Sequence, residues 1–389
     1  CHEPHSGKLK ASGSAVCTQC HLPEKFETIT HSGHKTFEGQ PDCISCHMPS
    51  RTYMAVDARH DHSFRIPRPD LSVSLGTPNA CNDCHKDKRA EWAASAIEQW
   101  HGPNRKGFQT YAPAFHAAST DHPEARRLLL DVANNNETPS LARATALALL
   151  KPRASRDTFA AAMQALQDAD PMVRIAALDH FEALPRDQRW RQASKLLSDS
   201  VRAVRVQAAF TLAEGPPAGA SQQERDSFKH ASAEYIAAER FNADRADART
   251  RLARFYARQG KAKEAEEEYL AALNLDASIT PRVDLADFYR ATGREADSEK
   301  LLRQTIAMAP LAAAPPHALG LAMIRAKRYE DALGALRQAH ELEPTQSRYA
   351  YVYAIALESM GRTPEALNLL QATLQTSPSN VDALRALLR

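Results

Sequence analysis

Cys17-Thr-Gln-Cys20-His21, Cys43-Ile-Ser-Cys46-His47 and Cys81-Asn-Asp-Cys84-His85 repeat one pattern, Cys-x-x-Cys-His, within the first 85 residues. A further pair, Cys1-His2, opens the chain. Two thiols at this spacing add across the two vinyl groups of one haem, and the adjoining His becomes an axial ligand of its iron. Two other chemistries use Cys-x-x-Cys. A zinc ribbon takes two Cys pairs per metal, so three pairs leave one over. A thioredoxin-like site expects a single motif inside alternating strands and helices, a pattern absent here. The His after each pair decides for haem, since His makes up only 16 of 389 residues.

Cys1 has two readings. It is either the second Cys of a fourth motif whose first half lies upstream, or the lipid-modified first residue of a lipoprotein. His2 favours the truncated motif, and the Cys-His-Glu-Pro-His stretch then reads as a haem site with a second ligand nearby. The expectation is three complete haem c sites and a fourth at Cys1-His2.

Ligand counting extends the argument. Proximal His2, His21, His47 and His85 need distal partners, and His5, His31, His34, His60 and His62 are the candidates. His101, His116 and His122 follow shortly after. Nine of the 16 His sit in the first 85 residues, a surplus that points to bis-His, low-spin irons suited to electron transfer. Met48 and Met54 read as apolar filler rather than thioether ligands. The motifs start 26 and then 38 residues apart, which places the haems close together.

The elements that must position these groups differ sharply along the chain. Residues 1–103 are poor in aliphatic side chains and cannot bury a core alone; the haem macrocycles must supply the apolar surface. No cysteine follows Cys84. Lys and Arg total 49 against 47 Asp and Glu, so no nucleic-acid-binding charge excess exists. No apolar run of about 18 residues spans a membrane. Haem c is attached outside the cytoplasm, so a periplasmic or extracellular location is expected, the export signal not being in this chain.

Tyr53-Met-Ala-Val-Asp-Ala-Arg-His-Asp-His-Ser-Phe-Arg-Ile-Pro-Arg-Pro-Asp-Leu-Ser72 and Gly76-Thr-Pro-Asn-Ala-Cys-Asn-Asp-Cys-His85 resemble bacterial multihaem c-type cytochromes of the doubled-motif class that carry tetratricopeptide repeats. The resemblance implies His62 as a distal ligand through Asp-His-Ser. It implies His34 and, less directly, His31 through His-Ser-Gly-His, and His5 as a ligand to a neighbouring haem. It also implies further haem motifs upstream.

Behind the haem segment, Lys88–Trp100 reads as a helix with Trp92, Ala96 and Trp100 on one face, ended by Gly102-Pro103. A period of 31 then aligns Arg143, Arg174 and Arg205, Ala146, Ala177 and Ala208, and Leu150, Phe181 and Leu212. That pattern resembles HEAT repeats over residues 104–220. After the Gly215-Pro-Pro-Ala-Gly break, residues 221–389 carry a period of 33 to 34 from about residue 246. Gly260, Gly293 and Gly361, with Lys327 in the third copy, mark the turns. Ala253, Ala286, Gly320 and Ala354 fill the small position of each first helix, and Ala265, Ser298, Ala332 and Ala366 that of each second. Pro310, Pro344 and Pro378 close units, Ala277 standing in for one. This is the tetratricopeptide pattern, four repeats and a terminal helix.

The expected fold is all-α: a loop-rich multihaem segment followed by a helical-repeat solenoid, HEAT-like and then tetratricopeptide. The expected function is electron relay, with redox proteins as partners and a peptide or protein in the repeat groove. The alternative is an oxidoreductase acting on a small nitrogen or sulfur compound at an open haem, in this chain or upstream of it. No catalytic constellation stands out, and no Cys-x-x-Cys-Lys motif is present. His180, His230, His317 and His340 read as surface or packing residues.

Overall fold

The computed structural model describes residues 1–35, 41–103, 109–378 and 380–388. The expected boundary after residue 103 abuts residues 104–108, which lie outside the described residues. The chain divides into two compact units, Cys1–His116 and Ala117–Arg389. Among the described residues the protein is all-α apart from one antiparallel hairpin, Ser50–Tyr53 with Asp57–His60.

In the first unit the elements are short turns of helix joined by loops. Before residue 104, Val16, Pro69 and Ala93 are the buried apolar residues among those described. Leu22, Ile29, Phe64, Ile66, Trp92 and Trp100 stay exposed. The helix Ala90–His101 matches the expected one and lays Trp100 on Gly33. A Cβ on Gly33 would stand 2.2 Å from the indole, and its φ of +70° suits glycine.

The second unit begins with the 31-residue period. Ser140–Leu150, Pro171–Leu178 and Arg202–Thr211 carry the three aligned arginines. Ala146, Ala177 and Ala208 are fully buried, which lets neighbouring helices approach closely. Arg143 meets Asp168 in a forked ion pair; Arg174 reaches Asp199 at 2.9 Å and Arg205 reaches Glu234 at 2.6 Å. The same guanidiniums donate to backbone carbonyls five or six residues upstream: Thr138 for Arg143, Asp168 and Ala169 for Arg174, Asp199 and Ser200 for Arg205. One arginine per unit therefore stitches its own helix to the turn before it and to the unit after it.

Gln222–Phe241 is one long helix started by a Ser221–Glu224 capping box. Four helix pairs follow: Ala246–Arg258 with Ala262–Leu275, Ile279–Ala291 with Glu295–Met308, Ala314–Arg325 with Tyr329–Leu342, and Ser347–Ser359 with Thr363–Thr376. Val381–Leu387 ends the chain's described helices. Every pair turns by the same device. The amides of Gly260 and Lys261 donate to Ala257 and Tyr256 carbonyls, and equivalent bonds recur at Gly293–Arg294, Lys327–Arg328 and Gly361–Arg362. This is the Schellman arrangement, with a left-handed residue after the helix. Lys327 adopts it at φ +60° without being glycine. The small positions are buried as the period predicts, and at Gly320 a Cβ would come within 2.6 Å of Leu336. Leu252, Tyr256, Tyr269, Leu285, Phe288 and Leu302 form the core of the first pairs.

Candidate functional site

Each complete Cys-x-x-Cys-His motif is one helical turn. Cys20 and His21 amides both donate to the Cys17 carbonyl, at 3.1 and 3.0 Å. Cys43–His47 is a helix capped by Asp42, which accepts from the Ser45 amide at 2.8 Å. Ala80–Cys84 is capped by Asn79, and the His85 amide donates to the Cys81 carbonyl at 2.9 Å. Residues at i, i+3 and i+4 share a helix face, so both thiols and the imidazole of a motif project to one side. All seven thiols are free.

The motifs lie near one another. Burial, and then the neighbouring Cys43 thiol, raise the Cys17 thiol above its ordinary value. Burial, followed by the Cys81 and Cys84 thiols, pushes Cys46 up to about 11. Arg51 on the hairpin pairs with Asp83 of the third motif at 2.8 Å.

The structure brings the imidazoles together in pairs. His47 faces His31 with ring centres 6.0 Å apart and planes within 20°. His85 faces His34 at 6.2 Å and 26°, and His2 faces His62 at 6.2 Å and 29°. In each pair at least one Nδ1 is held by a backbone carbonyl: His47 on Arg65 (2.7 Å), His34 on Ser32 (2.7 Å), His2 on Gly7 (2.7 Å) and His62 on His60 (2.8 Å). A carbonyl partner fixes the proton on Nδ1 and leaves the Nε2 lone pair for a metal. Burial, then His47 and His101, lower the His31 pKa, which favours the neutral ligand form.

Three candidates stand apart. Phe26 presents its edge to both His21 and His31, at 5.3 and 5.2 Å. Among the described residues no second imidazole makes ring contact with His21, His5 or His60. His60 nevertheless has its Nδ1 fixed by the Met48 carbonyl at 2.8 Å. Met54 stands at the hairpin tip, 88% exposed.

The donor set fits haem. Two imidazoles on one iron, with metal–nitrogen bonds of about 2 Å, have ring centres about 6 Å apart. Three pairs stand at that separation, each including the His of a Cys-His motif. Among the described residues no three His, Cys, Asp or Glu side chains converge as a stand-alone metal ion needs. The pairing itself was not legible in the sequence, because the partners lie 16 to 60 positions apart. The Gly33 contact with Trp100, which sets the His31–His34 loop, also left no sequence signal.

In the second unit, the isolated His residues occupy ordinary packing sites with one exception. His180 meets the Leu147 carbonyl at 2.8 Å, His230 is exposed beside Glu234, and His340 packs near Tyr353. His317 is only 8% exposed, and neither ring nitrogen has a hydrogen-bond partner. Among the described residues no helix is long and apolar enough to cross a membrane.

These features define an all-α protein built on helical repeats, with tetratricopeptide units at its C-terminal end. Residues 323–389 match the tetratricopeptide repeat family. Among solved structures, MamA 41-end from Desulfovibrio magneticus RS-1 is similar at 14% identity and a TM-score of 0.33, covering 50% of this chain and 97% of that one. YrrB, a TPR protein with an unusual peptide-binding site, is similar at 15% identity and a TM-score of 0.32, over 52% of this chain and 98% of that one. The Cut9–Hcn1 hetero-tetramer of APC/C is similar at 16% identity and a TM-score of 0.35, over 79% and 60%. No curated protein matches the chain.

Proposed function

We propose that the chain is a multihaem c-type cytochrome that relays electrons outside the cytoplasm, with its repeat arm docking a partner protein. One observation carries this reading: three imidazole pairs stand at iron-bridging separation in a unit with almost no side-chain core. Haem c, when bound, supplies a one-electron iron couple. The chain's own residues do the rest. Cys17 and Cys20, Cys43 and Cys46, and Cys81 and Cys84 anchor three groups, and Cys1 a fourth. His21, His47, His85 and His2 stand as proximal ligands. His31, His34 and His62 would complete three coordination spheres, with backbone carbonyls on Nδ1 orienting His34 and His62. The closeness of Cys17 to Cys43, and of Cys46 to Cys81 and Cys84, supports a short path from one group to the next.

A second reading has its own observation. Among the described residues His21 meets Phe26 and no other imidazole, so an iron held there would lack a second His ligand and could take a small nitrogen or sulfur compound. One experiment separates the two: exporting the chain in a host that attaches haem c, then recording visible spectra with and without carbon monoxide. Low-spin spectra indifferent to carbon monoxide support the relay. A carbon-monoxide-sensitive quarter to third of the haem, lost on Cys17→Ala with Cys20→Ala and on removal of no other Cys pair, supports the second reading. Protein without a haem band refutes both.

A further inference from the structure

The helix Ala90–His101 touches two of the three imidazole pairs, and the electron-relay reading gives it no task. Trp92, Ala96 and Trp100 recur at intervals of four, so both indoles lie on one face, about 12 Å apart along the axis. They are 40% and 41% exposed, so neither is the centre of a side-chain core. At its start the helix is tied to the third motif. The Asn82 side-chain amide donates to the Lys88 carbonyl at 2.7 Å, and the Trp92 ring centre stands 4.8 Å from that of His85. Ala93, the next residue, is 1% exposed.

At its end the same helix meets the turn that carries two distal candidates. His31 and His34 flank Ser32 and Gly33, and the left-handed Gly33 closes the turn by donating its amide to the Ile29 carbonyl at 2.8 Å. Trp100 occupies the space that a Cβ on Gly33 would need, and its ring centre lies 6.3 Å from that of His34. His101 stands 6.5 Å from His31. A single helical turn has little stability of its own, and Ile29 at its head is 52% exposed. The four residues His31-Ser-Gly-His34 nevertheless supply an imidazole to two pairs, His31 opposite His47 and His34 opposite His85. Whatever displaces the turn displaces both. His47 and His85 adjoin thiols that attach covalently, whereas His31 and His34 depend on the turn.

We propose that Trp100 is a positioning residue for two irons at once: seated on Gly33, it holds the turn so that His31 faces His47 and His34 faces His85. This rests on the multihaem reading and adds the residue that sets two sixth ligands. The helix acts as a spacer, fixed to the third motif through Asn82 and Trp92 and holding the turn opposite through Trp100.

The test uses the full chain exported with haem c attached. Visible difference spectra count the carbon-monoxide-binding haems per chain, and the pyridine haemochrome gives the total. Trp100→Ala should keep the total and gain two carbon-monoxide-binding haems over the unsubstituted protein. His31→Ala and His34→Ala should gain one each, and adding Trp100→Ala to that double variant should gain nothing more. Gly33→Ala, which meets the indole from the other side, should match Trp100→Ala. Trp100→Phe, which keeps a ring against Gly33, should restore the original count. Limited proteolysis of the loaded protein separates positioning from general support, since residues 1 to about 100 of Trp100→Ala should resist as before. A gain of none or one, a further gain on top of the double His variant, or a gain accompanied by cleavage throughout the unit overturns the positioning role and leaves the relay intact. Unsubstituted protein without low-spin haem overturns both.

Discussion

Arg174 offers the sharpest test of how the 31-residue units hold together. Its guanidinium donates to the carbonyls of Asp168 (2.7 Å) and Ala169 (3.0 Å) and pairs with Asp199 at 2.9 Å. The two side chains are 11% and 9% exposed, so solvent screens the pair little. Arg174→Ala leaves a nine-tenths-buried carboxylate facing a void and strips donors from two carbonyls. Removing one member of a buried pair costs about 3–5 kcal/mol. The Val201 amide still donates to Asp199 at 2.8 Å, which places the expectation near the lower end, about 3 kcal/mol. Urea unfolding followed by far-ultraviolet circular dichroism measures it, against a domain stability of roughly 5–15 kcal/mol. Asp199→Ala and the double variant complete a cycle, and the double variant should lose clearly less than the sum of the singles, by about 1–3 kcal/mol. A loss under about 1 kcal/mol for Arg174→Ala, or strict additivity in the cycle, refutes the stitching role.

The remaining predictions concern the tetratricopeptide units and the haem segment. Lys327→Gly should stabilise the chain by up to about 1 kcal/mol, because glycine takes φ +60° without the penalty a Cβ brings; a lowered melting temperature would count against it. Gly320→Ala should destabilise by about 1–3 kcal/mol, since its Cβ meets Leu336 at 2.6 Å and the Ala332 carbonyl at 3.3 Å, and unchanged stability would mean those helices are not closely packed. Burial, then Arg348, lower the His317 pKa to about 4, against the opposing pull of Asp287. The unfolded chain takes up that proton near pH 6.5, so stability falls as pH drops from there towards 4, by at most about 1.4 kcal/mol per unit. His317→Phe should remove that slope, and an identical pH profile in the two proteins would contradict it. Protein made without haem attachment should lose residues 1 to about 100 to protease while the repeats resist, and equal resistance would deny the haem its place as core.

Legibility in the sequence followed the range of the interaction that fixes each feature. The Cys-x-x-Cys-His turns are local, and so are the left-handed turn residues; even Lys327, which breaks the glycine pattern, could be placed by its period. The arginine stitching was half legible. Arg143, Arg174 and Arg205 align at 31, and Asp168 and Asp199 align at 31 as well. The third copy puts His230 at that position and supplies Glu234 one helical turn on, which hides the repeat of the acid. The hairpin escaped notice because its turn uses Met54 and Ala55 at φ +50° and +65°, where Asn or Gly normally signals such a bend. The imidazole pairing escaped because it is a tertiary property. His85 meets His34 across 51 positions, in a loop where Gly33 abuts Trp100 and the Ser32 hydroxyl accepts from the His34 amide at 3.2 Å.

On the proposed reading, the Nδ1 bonds have a role other than stability. Hydrogen bonds at exposed positions add little stability, because water competes for both partners. The bonds of His2, His47, His60 and His62 to carbonyls all lie at such positions. Their contribution is therefore orientation and choice of tautomer. A surface imidazole with no further role gains nothing from either, whereas an axial ligand needs both. On the proposed reading His60, oriented by Met48 yet without ring contact to another imidazole among the described residues, would be prepared as a ligand in the same way as His62. A His60→Ala variant that leaves the low-spin spectrum of the loaded protein unchanged, while His62→Ala converts one haem to a carbon-monoxide-binding form, would show that carbonyl orientation alone does not mark a ligand.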